Sequence, residues 1–291
     1  MVSSNSCVVR TSPFSFKVSS RFPSVIKNLS TLYPASLLST LGTADFNVSI
    51  DMPYVSTIPL FRRALFTLDG FAPFTRGPSN HSHALLEWGM NWCVSKYGAD
   101  RLIIHAACVA KKHKAILLSG DSGSGKSTLS CALMNESYRL LTDELTLVNL
   151  EDSSVTPFVR PISLKDKAID VIQRRYPFAV MGLVAHNTHK GTVSHCRPSD
   201  LSWSTMMEPA EIRGIVFPKY SASTTDIEVS RISSLDSFMK LLEQAFNIHI
   251  LGSKAIHILQ QICERTPAYE ITYSDTQRAI DFVNELYESD D

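Results

Sequence analysis

The chain has 291 residues, with 28 basic and 28 acidic side chains and therefore a net charge near zero. That balance gives no sign of a nucleic-acid-binding or membrane-surface protein, both of which usually carry a basic excess. No run of about 18 uninterrupted apolar residues occurs, so no transmembrane helix is expected. The nearest stretch, 102–118, is broken by Lys111, Lys112, His113 and Lys114. Six scattered cysteines without a C-x-x-C pair fit neither a zinc site nor a disulfide framework, and point to a reducing cytoplasm.

Residues 1–44 are Ser-rich and lack any acidic residue before Asp45, as an organellar transit peptide would. The alternation at 14–18 reads instead as a strand, and no basic amphipathic helix is visible, so targeting is not expected. Further strands are expected at 46–50 and at 64–68, the latter ending at the turn signal Asp69-Gly70. A helix begins after Asn80 and stops near Gly98. Ala84, Trp88 and Trp92 share one of its faces, and the two rings are expected to pack against the following sheet. Residues 1–99 thus read as an α+β accessory or recognition region, and 100–291 as one α/β domain.

Two apolar runs, 102–110 and 115–119, flank a Lys-Lys-His-Lys turn and predict a hairpin. Beyond it lie a short helix, strands at 138–142 and 145–150, a helix at 166–175 and a polar loop over 185–200. Strands at 212–217 and 226–232 follow, then helices near 235–247, 253–265 and 275–289.

Chemistry concentrates where the hairpin ends. Gly120-Asp-Ser-Gly-Ser-Gly-Lys126-Ser127 matches the phosphate-binding pattern G-x-x-x-x-G-K-[ST]. Glycines at 120, 123 and 125 let successive N–H groups converge on one oxygen cluster, and the helix that follows adds its positive end. The expected nucleotide contacts are Gly120, Asp121, Ser122, Gly123, Ser124, Gly125, Lys126, Ser127 and Thr128. Lys126 supplies charge to the β- and γ-phosphates of ATP, and the Ser127 hydroxyl suits Mg²⁺. The helix from Lys126 carries the chain about 15 Å away, and the 138–142 strand returns it about 16 Å. Asp143 and Glu144 therefore arrive beside the loop, where one can face the γ-phosphate and the other a metal. His105 lies on the strand expected to pair with the one that feeds the loop. Its pattern alone is that of a core histidine.

The run Ile103-Ile-His105-Ala-Ala, the loop, and Leu141-Thr-Asp143-Glu144 together resemble the bacterial HPr kinase/phosphorylase family. Glu87-Trp-Gly-Met-Asn-Trp-Cys93 and Arg160-Pro-Ile-Ser-Leu-Lys165 resemble its branch of HPr-kinase-related kinases. The resemblance implies a P-loop kinase core with the mixed sheet of HPr kinase and phosphoenolpyruvate carboxykinase. It also implies transfer of the ATP γ-phosphoryl group to a serine hydroxyl of a protein or peptide. On it, Asp143 is the base that accepts the serine proton, and His105 lies near that base. Glu144 stands where the family has a second aspartate and takes a metal role with Ser127. A Glu211-Ile-Arg-Gly214 string lies too far downstream to match the family's own signature and reads as a strand. Arg160, Lys165 and Arg197 are secondary candidates for phosphate or substrate contacts. The 185–200 loop, with His186, His189, Lys190, His195 and Arg197, is polar enough to cover the γ-phosphate. A small-molecule kinase and a non-catalytic ATP-binding protein remain alternatives. The sequence leaves the oligomeric state open, a homo-oligomer included.

Overall fold

The computed structural model describes residues 6–52 and 63–288. Packing divides the chain into two compact units. One comprises the described residues up to Tyr97 together with Pro161–Arg197; the other comprises Gly98–Arg160 and the described residues from Pro198 onward. Residues 161–197, which the sequence assigns to the later domain, thus fold with the N-terminal part.

In chain order the first unit opens with β1 (Ser6–Thr11), β2 (Phe14–Ser20), α1 (Pro23–Leu32) and β3 (Leu38–Ser39). It continues with β4 (Phe46–Asp51), β5 (Arg63–Leu68), β6 (Gly77–Pro78) and α2 (Ser82–Tyr97). The second unit then begins with β7 (Arg101–Ile104), β8 (Ala106–Lys111), β9 (Lys114–Ser119) and α3 (Lys126–Asn135). Next come β10 (Arg139–Thr142), β11 (Thr146–Asn149) and β12 (Val155–Thr156). The chain returns to the first unit for β13 (Ile162–Lys165), α4 (Lys167–Arg175), β14 (Ala185–Thr188) and β15 (Gly191–Cys196). The second unit resumes with α5 (Asp200–Ser204), β16 (Glu211–Tyr220), β17 (Glu228–Ile232) and α6 (Ser234–Glu243). It ends with α7 (Ile248–Leu251), α8 (Ser253–Arg265), β18 (Ala268–Tyr273) and α9 (Thr276–Glu288). None of the described helices is long and apolar enough to cross a membrane.

The larger sheet of the first unit has the order β3-β1-β2-β4-β5-β6. Helix α2 lies directly on β5, because a Cβ at Gly89 would fall 2.1 Å from the Phe66 ring. The fully buried positions of α2 include Ala84, Leu86, Met90, Cys93 and Val94. Trp88 and Trp92, on the face that carries Ala84, are half-buried. Trp92 packs edge-on against Phe74 and Tyr97, and Trp88 edge-on against His189 with centroids 4.9 Å apart. The 185–200 stretch is not a loop: β14 and β15 form a hairpin within a small β13-β15-β14 sheet. The turn between them is closed by Thr188, whose Oγ1 donates to the Gly191 carbonyl at 2.7 Å. The amide of Thr192 donates to Asp166 Oδ1 at 2.9 Å. Polarity that reads as a loop is here the closure of a tight turn. The returning segment is tied to α1 by the Leu183 amide, which donates to Asn28 Oδ1 at 2.8 Å.

The second unit is α/β with a mixed six-stranded sheet, ordered β10-β8-β9-β16-β18-β17. β10 and β9 each pair antiparallel with β8, and β16 lies parallel to both β9 and β18. β10, β9, β16 and β18 therefore all run one way, and their C-terminal ends lie at one edge. Alternate residues of β8 and β9 face opposite sides of the sheet. Cys108, Ala110, Ala115 and Leu117 meet Leu241, Ile258, Leu259 and Ile262 of α6 and α8 in one core. Helices α3 and α9 pack against the same central strands. The six cysteines are free thiols, and burial pushes Cys108 up to about 12 and Cys263 up to about 11. Such thiols stay protonated and serve as small core residues. The string 211–214 is a strand, as expected, and it lies beside β9.

Candidate functional site

β9 delivers the chain into 120–125, and α3 starts at Lys126 as the pattern predicts. Gly120, Gly123 and Gly125 have φ of 143°, 86° and 103°, values an L side chain rarely adopts. At Gly125 space is also lacking, since a Cβ there would lie 2.9 Å from Tyr273 Oη. Lys126 is buried, and its ammonium donates to the carbonyls of Gly120 at 2.6 Å and Asp121 at 2.9 Å. The amides of Lys126, Ser127 and Thr128 lie in the first turn of α3, where a helix leaves its N–H groups without intrahelical partners. Ser124 Oγ is buried without a hydrogen-bond partner among the described residues. Asp121, Ser122 and Gly123 are exposed.

Asp143 follows β10, is 7% exposed, and engages α3 through both carboxylate oxygens. Ser127 Oγ donates to Oδ2 at 3.2 Å, and Ser130 Oγ donates to Oδ1 at 3.0 Å. The acid is thereby fixed beside the hydroxyl expected at a metal. Glu144 is its neighbour and half-buried.

His105 falls at the bend between β7 and β8 rather than inside a strand. Registers on both sides locate it. Ala106 pairs with Ser119, so His105 stands one position beyond, across from Gly120. Ile104 pairs with Thr146 and Cys108 with Thr142, so 105–107 run opposite 143–145. The imidazole is held by Gln244 Oε1, 3.1 Å from Nδ1, and lies on the Phe246 ring at 5.7 Å and 18°. Loop, acidic pair and histidine thus share one edge of one sheet. Strand ends at such an edge are the usual place for ligands in α/β proteins.

Arg160 is buried in the same unit, with its guanidinium 5.5 Å from the Phe158 centroid. The Phe158 amide donates to the Leu141 carbonyl at 2.8 Å, which draws this segment alongside β10. Lys165 and Arg197 belong to the other unit. Lys165 ends β13, and the Arg197 amide donates to the Val180 carbonyl. In that unit His186 accepts from His81 Nε2 at 2.6 Å through its carbonyl. His189 is held below its usual range by burial and then by the charges of Lys190 and Lys165. His195 is buried in β15 opposite Ser163.

Ser130, Gln244 and Phe246 were not foreseen from sequence. Ser130 had a signal, since it lies three residues after Ser127 on the same helical face. Gln244 and Phe246 had none, because they reach His105 from a sequence separation of about 140 residues.

No protein-family model matches the chain, and no curated protein matches it. Among solved structures it is similar to the HPr(Ser) kinase/phosphatase from Coxiella burnetii, at 13% identity and a TM-score of 0.29. That similarity covers 64% of this chain and 94% of the other.

Proposed function

We propose that the chain is an ATP- and Mg²⁺-dependent kinase that transfers the γ-phosphoryl group to a serine hydroxyl on a protein or peptide. The observation that carries this reading is the Ser127–Asp143 contact at the foot of a loop with three left-handed glycines. The loop residues fit a polyphosphate: backbone N–H groups, the Ser124 hydroxyl and the Lys126 ammonium are all donors at one strand end. Lys126 holds loop carbonyls in this structure and would exchange them for phosphate oxygens. Ser127 and Glu144 would hold Mg²⁺, which when bound neutralises charge on the β- and γ-phosphates. Asp143 would accept the serine proton, and His105 would support it from the neighbouring strand end. The choice of serine and of a protein acceptor follows from the motif resemblance, not from the loop. A second reading, with Asp143 on the metal side, is favoured by its contact with Ser127.

Lys126→Ala is expected to weaken ATP binding tenfold or more, since charge-assisted hydrogen bonds contribute about 1.5–3 kcal/mol each. Calorimetry on a folded variant with unchanged ATP affinity would refute the site. His105→Ala is expected to slow turnover less than loss of the acid does. If that variant were merely less stable, with normal turnover, His105 would be a packing residue held by Gln244 and Phe246.

A further inference from the structure

Asp143 marks one side of the loop-bearing strand. On the other side β16 and β18 end at the same edge, in Tyr220 and Tyr273. Both tyrosines lie against the loop. The Tyr220 amide donates to the Ser124 carbonyl at 3.0 Å. Its Cβ lies 3.5 Å from where a Cβ on Gly125 would sit, and Tyr273 Oη lies 2.9 Å from that point. The two rings meet edge-on, with centroids 6.0 Å apart and planes at 78°. Tyr273 is 2% exposed and Tyr220 53% exposed, so a buried ring buttresses an accessible one. An edge-on contact engages at most one face of Tyr220.

A nucleoside triphosphate held on the loop with its terminal phosphate toward Asp143 must send its nucleoside the other way. Strand order puts Tyr220 there. We propose that the Tyr220 ring is the platform on which the nucleobase of the bound triphosphate stacks, with Tyr273 fixing its position. The proposal rests on the phosphate-loop reading and adds to it the base subsite. Aromatic stacking is tolerant of base identity because every base has a π-face, so the subsite selects nucleotides over bare polyphosphate rather than one base over another.

The test is calorimetry on the full chain with Mg²⁺, titrating ATP and, separately, inorganic tripolyphosphate. Tyr220→Ala is expected to lose tenfold or more in ATP affinity, within the range base–aromatic stacking covers, and to bind tripolyphosphate as wild type does. Tyr220→Phe should retain ATP affinity. Tyr220→Leu, which keeps apolar bulk over Tyr273 without a ring, should lose it as the alanine variant does. Unchanged ATP affinity in the alanine and leucine variants would overturn the platform. So would an equal loss for both ligands, which would mean a distorted loop. Wild-type protein that bound tripolyphosphate as tightly as ATP would remove the base subsite alone. Wild-type protein that bound neither would remove the phosphate-loop reading, and this proposal with it.

Discussion

Asp143→Asn is expected to slow phosphoryl transfer by about 10²–10⁴, the range a positioned general base supplies. The amide keeps the size of the side chain and can still accept one hydroxyl hydrogen bond. Ser127 and Ser130 both donate to the carboxylate, so one of those contacts must be lost or reversed. ATP affinity should change little if Asp143 acts on the acceptor hydroxyl. Glu144→Gln should then raise the Mg²⁺ concentration needed for half-maximal rate while leaving the saturated rate closer to wild type. The measurement is turnover against Mg²⁺ for both variants with a competent acceptor. A raised Mg²⁺ requirement in the Asp143 variant and a lost rate in the Glu144 variant would exchange the two roles. Full activity in the Asp143 variant at all Mg²⁺ concentrations would remove Asp143 from the chemistry.

The largest stability effect is expected at Arg139, at the start of β10 and far from the chemistry. Its side chain is 3% exposed and donates to four carbonyls. Nε reaches Lys112 at 2.9 Å, in the turn of the β8–β9 hairpin. The terminal nitrogens reach Thr205 at 3.2 Å, Glu208 at 2.6 Å and Pro209 at 3.1 Å, in the connection between α5 and β16. The accepting residues are exposed or half-buried, so water can reach their carbonyls and each one left without its donor costs about 1 kcal/mol, the low end for a lost hydrogen bond. Arg139→Met is therefore expected to lose about 3–5 kcal/mol, and Arg139→Lys less, because an ammonium can replace only part of the fork. Urea denaturation followed by fluorescence reads both. A methionine variant with a wild-type midpoint would show that these hydrogen bonds exchange for solvent without loss.

The loop was legible because its residues carry chemistry in consecutive positions: α3 starts at Lys126 and ends at Asn135, where spacing put it. The return of Asp143 was also legible, since helix and strand lengths nearly cancel. What escaped depended on distance along the chain. His105 is gripped by Gln244 and Phe246, and Arg139 by carbonyls about 70 residues on; a carbonyl leaves no trace in sequence. The β14–β15 hairpin was missed for a local reason, because Thr188 and Gly191 close a turn with side-chain hydrogen bonds and mimic loop composition. The regrouping of Pro161–Arg197 with the N-terminal unit was illegible, because no shift in composition marks its ends.

Strand order in the second unit also bears on synthesis. β9 is flanked by β8, made just before it, and by β16, which starts about ninety residues later. At about 5–20 residues per second, a ribosome needs roughly 5–20 s to supply that neighbour. Throughout that interval Leu117 and Leu118 lie on a strand whose outer edge offers unpaired N–H and C=O groups, a template for other chains. A nascent chain released before Tyr220 would carry the whole 120–127 motif on half a sheet, so its expected fate is aggregation rather than a nucleotide-binding fragment.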